Sequence, residues 1–222
     1  METNYLVVDM GTGNSRVGLV SADGTIWGIR NYENQYYKDK QYEDAQYFLP
    51  EEWENNLLGG CKELLKEFPE HPVRAITSSG ARESIVLYNK VGKAYLGLPN
   101  IDNRGRAWMA EIEDRTFIYE KTGRWVTEDF PAAKLMGYRK KYPEEFAGIA
   151  KITSLSEWIG EMFTVNWLSS RHRHVRHSSL ILSQKNGQKD FVEIMEFPWI
   201  FCRRSQKPGI ALARLKKKWQ MS

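Results

Sequence analysis

Apolar positions up to about residue 164 form short alternating runs, one long helical period and a series of shorter helices. Tyr5 to Val8 is an apolar, β-branched run that ends in Asp9, and Arg16 to Val20 alternates as a second strand. Ala22-Asp23-Gly24 makes a turn into a third strand, Thr25 to Tyr32, and residues 33–47 are polar and tyrosine-rich, hence a loop. Trp53, Leu57, Leu58, Cys61, Leu64, Leu65 and Phe68 then recur at helical spacing. Pro50 opens this helix, Glu51 and Glu52 suit the positive end of its dipole, and Pro69 to Pro72 stops it. Strands follow at Val73–Thr77, Ile85–Tyr88 and Ala94–Leu98. A helical stretch covers Arg106 to Tyr119, Thr122-Gly-Arg breaks it, and Phe130-Pro131 starts another helix. Ile149–Ile152 is a short strand, and Ser154 with Glu157 forms a capping box before a last apolar helix. Three strands, a helix, more strands and then helices predict an α/β fold with a mixed sheet.

The chemistry concentrates first at the turn between the opening strands, Gly11-Thr12-Gly13-Asn14-Ser15. Gly11 and Gly13 carry no Cβ, so backbone N–H groups there can approach an anion closely. Thr12, Asn14 and Ser15 add side-chain donors, and Asp9 can hold a metal ion through water. This is a phosphate grip built on a hairpin, unlike the Gly-Lys-Ser/Thr loop that opens a helix. An ordinary β-hairpin with glycine in its turn has the same look. Arg82 and Glu83 follow a strand end, where ligand groups gather in α/β folds. They read either as donor and acceptor for the hydroxyls of a polyol or as a surface ion pair, and Asp102 with Arg104 in the next polar loop allows the same two readings. Cys61 on the apolar helix face reads as core, and His71, Trp108, Trp125 and Trp158 read as packing.

Composition narrows the class. With 222 residues, 41% of them hydrophobic and 13% aromatic, the chain suits one substantial folded domain. It has no apolar run long enough for a membrane span and no signal-peptide pattern, and its two distant cysteines make neither a disulfide framework nor a metal site. The expected setting is cytoplasmic, without a membrane partner. The net charge of +4 is unevenly spread: residues 165–222 hold 12 Lys or Arg against 3 acids, leaving 20 basic and 25 acidic residues in 1–164.

Taken together, these motifs resemble the FGGY carbohydrate kinases, relatives of glycerol kinase and xylulokinase. Asp9-Met-Gly-Thr-Gly-Asn-Ser15 is similar to the family's D-x-G-T-x-S phosphate loop, with Asn14 as the spacer before Ser15. Ser79-Gly-Ala-Arg-Glu-Ser-Ile-Val-Leu-Tyr-Asn89, followed by Asn100-Ile-Asp-Asn-Arg104, looks most like the autoinducer-2 kinase branch. The resemblance covers about residues 4–164. It implies a ribonuclease H-like, actin-type ATPase fold, of which this chain is the N-terminal domain only, with ATP and a sugar or polyol bound between two domains. By that likeness Asp9, Gly11, Thr12, Gly13, Asn14 and Ser15 face the ATP phosphates and Mg²⁺, and Arg82, Glu83, Asp102 and Arg104 line the sugar site. Xylulose, glycerol and other polyols all remain open as substrates, and so does the oligomeric state. The family's general base is an aspartate of a Gly-Gly-Asp type motif in the second domain, and these 222 residues contain no such motif. No catalytic base is therefore expected in this chain, and its kinase activity alone is expected to be negligible.

Residues 1–164 thus read as a partial kinase N-terminal domain and 165–222 as a basic tail. The tail reads as a product of a shifted frame. Val165-Asn-Trp-Leu168 can be re-read one base earlier as Gly-Lys-Leu-Ala, the family's kind of continuation. The stretches Lys185 to Phe191 and Val192 to Ile200 re-read in the same frame into family-like sequence. One deleted base near codon 164 would make the composition an accident of translation, and order is not expected there. The rival is a basic arm that contacts nucleic acid, but a charge run with no reader motif is more often a solvated face.

Overall fold

A computed structural model describes residues 3–163. The basic segment 165–222, with its expected frame shift, lies outside the described residues. Strand β1 (Asn4–Met10) lies at the centre of a four-stranded mixed sheet, ordered β3-β2-β1-β6. It pairs antiparallel with β2 (Asn14–Ser21), which pairs antiparallel with β3 (Ile26–Glu33). On its other side β1 runs parallel to β6 (Val73–Gly80). Helix α1 (Pro50–Glu67) makes the crossover that a parallel pair requires.

Leu6, Val8 and Met10 of β1 are buried, while Tyr5, Val7 and Asp9 are half-buried, the alternation of a pleated strand. They join one core cluster with Val17 and Leu19 of β2, Trp53, Leu57, Cys61 and Leu64 of α1, and Leu155, Trp158 and Ile159 of α5 (Leu155–Phe163). Burying each large side chain there contributes about 1.5–3 kcal/mol. The capping box at the start of α5 forms: Ser154 N donates to Glu157 Oε2 at 2.8 Å, and Glu157 N donates to Ser154 Oγ at 3.2 Å.

Between β3 and α1 the polar loop contains two short strands, β4 (Tyr37–Lys38) and β5 (Gln46–Tyr47). Phe48 then bridges to Gly97 in β8 (Ala94–Leu98). A Cβ on Gly97 would sit 2.0 Å from the Phe48 ring, so only glycine fits. β8, β7 (Ile85–Tyr88) and β9 (Lys151–Ser154) form a second antiparallel sheet in the order β8-β7-β9.

The continuous helix expected over 106–119 is not found. A 3-10 turn, Arg106–Glu111, ends before Ile112, and α2 (Arg115–Thr122) starts afresh. Asp114 causes the break, because its carboxylate accepts from Phe117 N at 2.7 Å and so caps a new helix. Gly123, at φ 73°, ends α2 in a left-handed cap. Helix α3 (Pro131–Lys141) is buried along its whole first two turns, and α4 (Pro143–Ala147) follows it. The short strand expected at 149–152 lies two residues later, as β9.

Candidate active site

The parallel pairing of β1 with β6 decides where the chemistry meets. Asp9 is opposite Ser79 and Met10 is opposite Gly80, so the loops leaving both strands start side by side. Ala81 N donates to Met10 O at 2.7 Å across that junction. The hairpin 11–14 and the segment 81–84 therefore share one end of the sheet, the place where α/β folds bind ligands.

In the hairpin, Gly11 N closes the turn onto Asn14 O at 2.9 Å. The next carbonyls are all tied to one side. Asn34 Nδ2 donates to Gly11 O at 2.9 Å and Thr12 O at 3.2 Å, Asn34 N donates to Gly13 O at 2.9 Å, and the Tyr36 hydroxyl also donates to Thr12 O. A trans peptide points its N–H opposite its carbonyl, so the N–H groups of Thr12 and Gly13 are turned away from Asn34. Among the described residues neither has a hydrogen-bond partner. The space beside Gly13 is open, with nothing within 4 Å of a Cβ placed there. Buried Ser15 donates to Asn34 Oδ1 and so braces the loop from inside. Asn14 is half-buried at the start of β2, and its carbonyl closes the turn. Asp9 has a side chain 45% exposed, 3.4 Å from an equally exposed Arg16, a contact weak enough to leave the carboxylate available.

Across the junction Glu83 is 7% exposed and adopts φ 64°, an uncommon conformation for a residue with a side chain. Its Oε1 accepts from Arg124 Nη1 at 3.0 Å, and its Oε2 is buried without a partner among the described residues. Burial raises the Glu83 carboxyl above the usual carboxylate range, and Arg124 opposes that rise. The partner of Glu83 is thus Arg124, and Arg82 is exposed. Lys134 is 0% exposed and donates to Glu83 O at 2.8 Å and Pro99 O at 2.6 Å, which fixes the backbone at Glu83. Burial lowers its ammonium to about 8.

Asp102 and Arg104 are 0% and 1% exposed and are spent on each other, with Arg104 Nε donating to Asp102 Oδ2 at 2.7 Å. Asp102 Oδ1 accepts from Gln46 N, and Arg104 lies 3.3 Å from Asp39. Burial pushes the Asp102 carboxyl up, and the adjacent guanidinium pulls it down. The backbone at 104–105 is packed against α3 through Gly137 and Gly105, where a Cβ would meet Arg104 O at 2.3 Å and Ala133 C at 2.6 Å. Asp102 and Arg104 are thus buried and paired with each other, while Glu83 is the member of the expected sugar set with a buried acceptor that has no partner among the described residues.

The family model for the N-terminal domain of the FGGY family of carbohydrate kinases matches residues 4–174. The chain belongs to this family. The Bacillus subtilis (strain 168) protein named "Putative sugar kinase YoaC" is 38% identical over 158 residues, covering 71% of this chain and 32% of that protein. An autoinducer-2 kinase of Photorhabdus laumondii is 24% identical over 170 residues, covering 72% of this chain and 31% of the relative. The match thus spans about a third of the length of these relatives. Among solved structures, gluconate kinase from Lactobacillus acidophilus superposes with a TM-score of 0.86 at 16% identity, over 98% of this chain and 44% of that one. Xylulose kinase from Rhodospirillum rubrum gives 0.84 at 18% identity, over 97% and 45%. The fold is the actin-like ATPase fold of these sugar kinases, an α/β mixed sheet with helices.

Asn34, Tyr36, Asn100, Arg124 and Lys134 shape the site without having been singled out from sequence. Lys134 did carry a signal, a lone charge inside Pro131-Ala-Ala-Lys-Leu-Met-Gly-Tyr138. Asn34 and Tyr36 carried none, being two polar residues in a polar loop.

Proposed function

We propose that this chain forms one wall of the active-site cleft of an ATP-dependent sugar or polyol kinase. The observation that carries this reading is the adjacency of two unlike half-sites. Unpartnered N–H groups at Thr12 and Gly13 suit phosphate oxygens, and a buried, unpartnered carboxylate oxygen at Glu83 suits a sugar hydroxyl. The donor set fits the family's cofactor, since a Gly-rich hairpin with free amides binds anions and Asp9 offers a hard oxygen for Mg²⁺ through water. Bound Mg·ATP supplies the transferable phosphoryl group. Thr12 and Gly13 hold its phosphates, with Ser15 and Asn14 keeping the loop in shape, while Glu83 and Arg82 hold the acceptor. Asp102 and Arg104 fix the loop on which the sugar side rests. Phosphoryl transfer depends on positioning and charge stabilisation from both sides of a cleft. By the family resemblance the general base belongs to the second domain, so turnover by this chain alone is expected to be negligible.

Thermal-shift titration of the 222-residue chain with Mg·ATP, and separately with a panel of sugars and polyols, tests the reading. Saturable stabilisation by Mg·ATP that is lost in Gly13→Asp is expected, with a sugar response lost in Glu83→Gln. Absence of both responses at millimolar ligand overturns it.

We further propose that residues 165–222 are read in a shifted frame. Sequencing the gene through codon 164 and onward is expected to find an open frame one base away that encodes a Gly-Gly-Asp motif. If no such frame exists and the chain retards nucleic acid in a salt-sensitive gel shift, the basic arm is a nucleic-acid contact instead.

A further inference from the structure

The two half-sites are joined by more than strand pairing. Asn100 leaves the end of β8 and reaches both of them. Its backbone N–H donates to Ser84 Oγ at 3.0 Å, next to Glu83. Its side-chain Nδ2 donates to Thr12 Oγ1 at 2.9 Å, and that hydroxyl lies 3.3 Å from Asn100 Oδ1, to which it can donate in turn. Lys134 closes the same unit from behind, because the two carbonyls it holds belong to Glu83 and to Pro99, the residue before Asn100. The segments 83–84 and 99–100 are thus braced to each other twice, once through Lys134 and once through Ser84. Among the described residues Asn100 alone carries that braced unit on to Thr12, the residue whose N–H is turned outward.

We propose that Asn100 is a positioning residue that ties the phosphate hairpin to the sugar-side loop, so that ordering one half-site orders the other. The physical basis is a contiguous hydrogen-bonded path, Thr12–Asn100–Ser84, beginning at a residue whose N–H has no partner among the described residues and ending beside Glu83 in left-handed backbone. A ligand on either segment removes freedom from both, which lowers the ordering cost of the second ligand, and the coupling is reciprocal. The Ala81 N–Met10 O bond joins the starts of both loops through backbone atoms and involves neither the Thr12 nor the Ser84 side chain, so it remains in every variant and in the Asn100→Ala background serves as the reference for coupling without this path.

The coupling would serve the kinase reading proposed above, but the path itself is tested without any ligand, so the two can fail separately. Hydrogen–deuterium exchange by mass spectrometry on the full chain compares peptides over 9–14 and 81–85. Thr12→Val removes one hydroxyl at nearly constant volume. It is expected to speed exchange roughly fivefold at 9–14, the scale of one lost hydrogen bond, and roughly twofold at 81–85, about seventy residues away. Ser84→Ala is expected to act in the reverse direction, on 9–14 as well as on its own segment. In an Asn100→Ala background each change is expected to stay within its own segment. A role confined to local stability predicts that confinement in the parent chain too. Thr12→Val and Ser84→Ala that each alter only their own peptide with Asn100 present would overturn the proposal, whether or not Asn100→Ala folds.

Discussion

The carbonyls of the glycine-rich hairpin are held by Asn34 and Tyr36, only 21 to 24 residues downstream of their partners, along one antiparallel ribbon. Glu83, on the neighbouring strand end, is held by Arg124 and Lys134, 41 and 51 residues away, and the Asp102–Arg104 strut beneath it draws on Gln46 and Asp39. The hairpin is open and turns donors outward. The cluster of Glu83, Asp102 and Arg104 is buried, and of the Glu83 and Asp102 carboxylate oxygens only Glu83 Oε2 lacks a partner among the described residues. An anion site needs exposed N–H groups, which a short turn supplies cheaply. A site that must orient a neutral polyol needs a dry, fixed acceptor, and fixing a buried charge takes partners from several segments. Removing a strut should therefore damage the second region far more than the first.

The largest expected effect is at Arg104. Arg104→Met fills the space but leaves Asp102 and Asp39 without their cation, and breaking a buried pair this way costs about 3–5 kcal/mol. Urea denaturation is expected to show that loss, or the variant fails to accumulate as soluble protein. If Arg104→Met keeps parental stability and loses only its response to sugar, Arg104 is a ligand residue and the strut is elsewhere.

Next is Asn34→Ala, which strips the hairpin of two side-chain donors and leaves Ser15 without its acceptor. A loss of about 1–3 kcal/mol follows from the unsatisfied buried groups. The Mg·ATP response should fall with it, while the sugar response persists. Equal loss of both responses would mean that the two regions stand or fall together in stability, and not through Asn100 alone.

These contrasts also separate what could be read from the chain and what could not. The hairpin was legible because its signal is local: two alternating strands, a Gly-Thr-Gly turn and an Asp at the strand end all lie within residues 5–20. The α1 period and the Ser154–Glu157 box were legible for the same reason. Spacing alone left Arg82–Glu83 as either a ligand pair or a surface ion pair, and the fold removes the ion pair, since Glu83 turns inward to Arg124 while Arg82 stays exposed. Asp102 and Arg104 allowed the same two readings, ligand pair or surface ion pair, because two charges two residues apart in a polar loop usually face water. Here they neutralise each other, and the glycines at 105 and 137 let α3 close over them. No local pattern announces a pairing between a loop and a helix thirty residues later.

Lys134 gives a smaller, pH-dependent test of the buried region. Burial depresses its ammonium to about 8, against about 10.4 in the unfolded chain, with Asp102, Asp129 and Glu83 favouring the charge and Arg104 opposing it. Below pH 8 both states are protonated and the burial penalty is fully present. Between pH 8 and about 10 the unfolded state binds more protons, so stability rises with pH, by about 1–2 kcal/mol. Above that range the buried tyrosines reverse the trend: Tyr88 and Tyr138 are both held protonated chiefly by burial, whereas the unfolded chain loses those protons. Chemical denaturation at pH 7.5 and 9.5 is expected to show the rise in the parent chain and its absence in Lys134→Met. A rise that survives the substitution assigns it to another group.

Glu83→Gln has the smallest expected effect on stability and separates the two regions most sharply. The carboxylate is buried, one oxygen is unpaired, and burial disfavours its charge. An amide of the same shape can still accept from Arg124 and no longer carries a desolvated charge. Stability at neutral pH should stay within about 1 kcal/mol of the parent, because the lost charge-assisted bond is offset by removing a buried charge that is expensive to keep. The sugar response should be lost all the same, since the free acceptor has become a donor, and the Mg·ATP response should be retained. A substitution that leaves stability unchanged and removes binding is the mark of a group kept for function against its local cost. If Glu83→Gln instead destabilises the chain by several kcal/mol, the carboxylate is holding Arg124 in place, and the sugar acceptor must be sought elsewhere at the junction of β1 and β6.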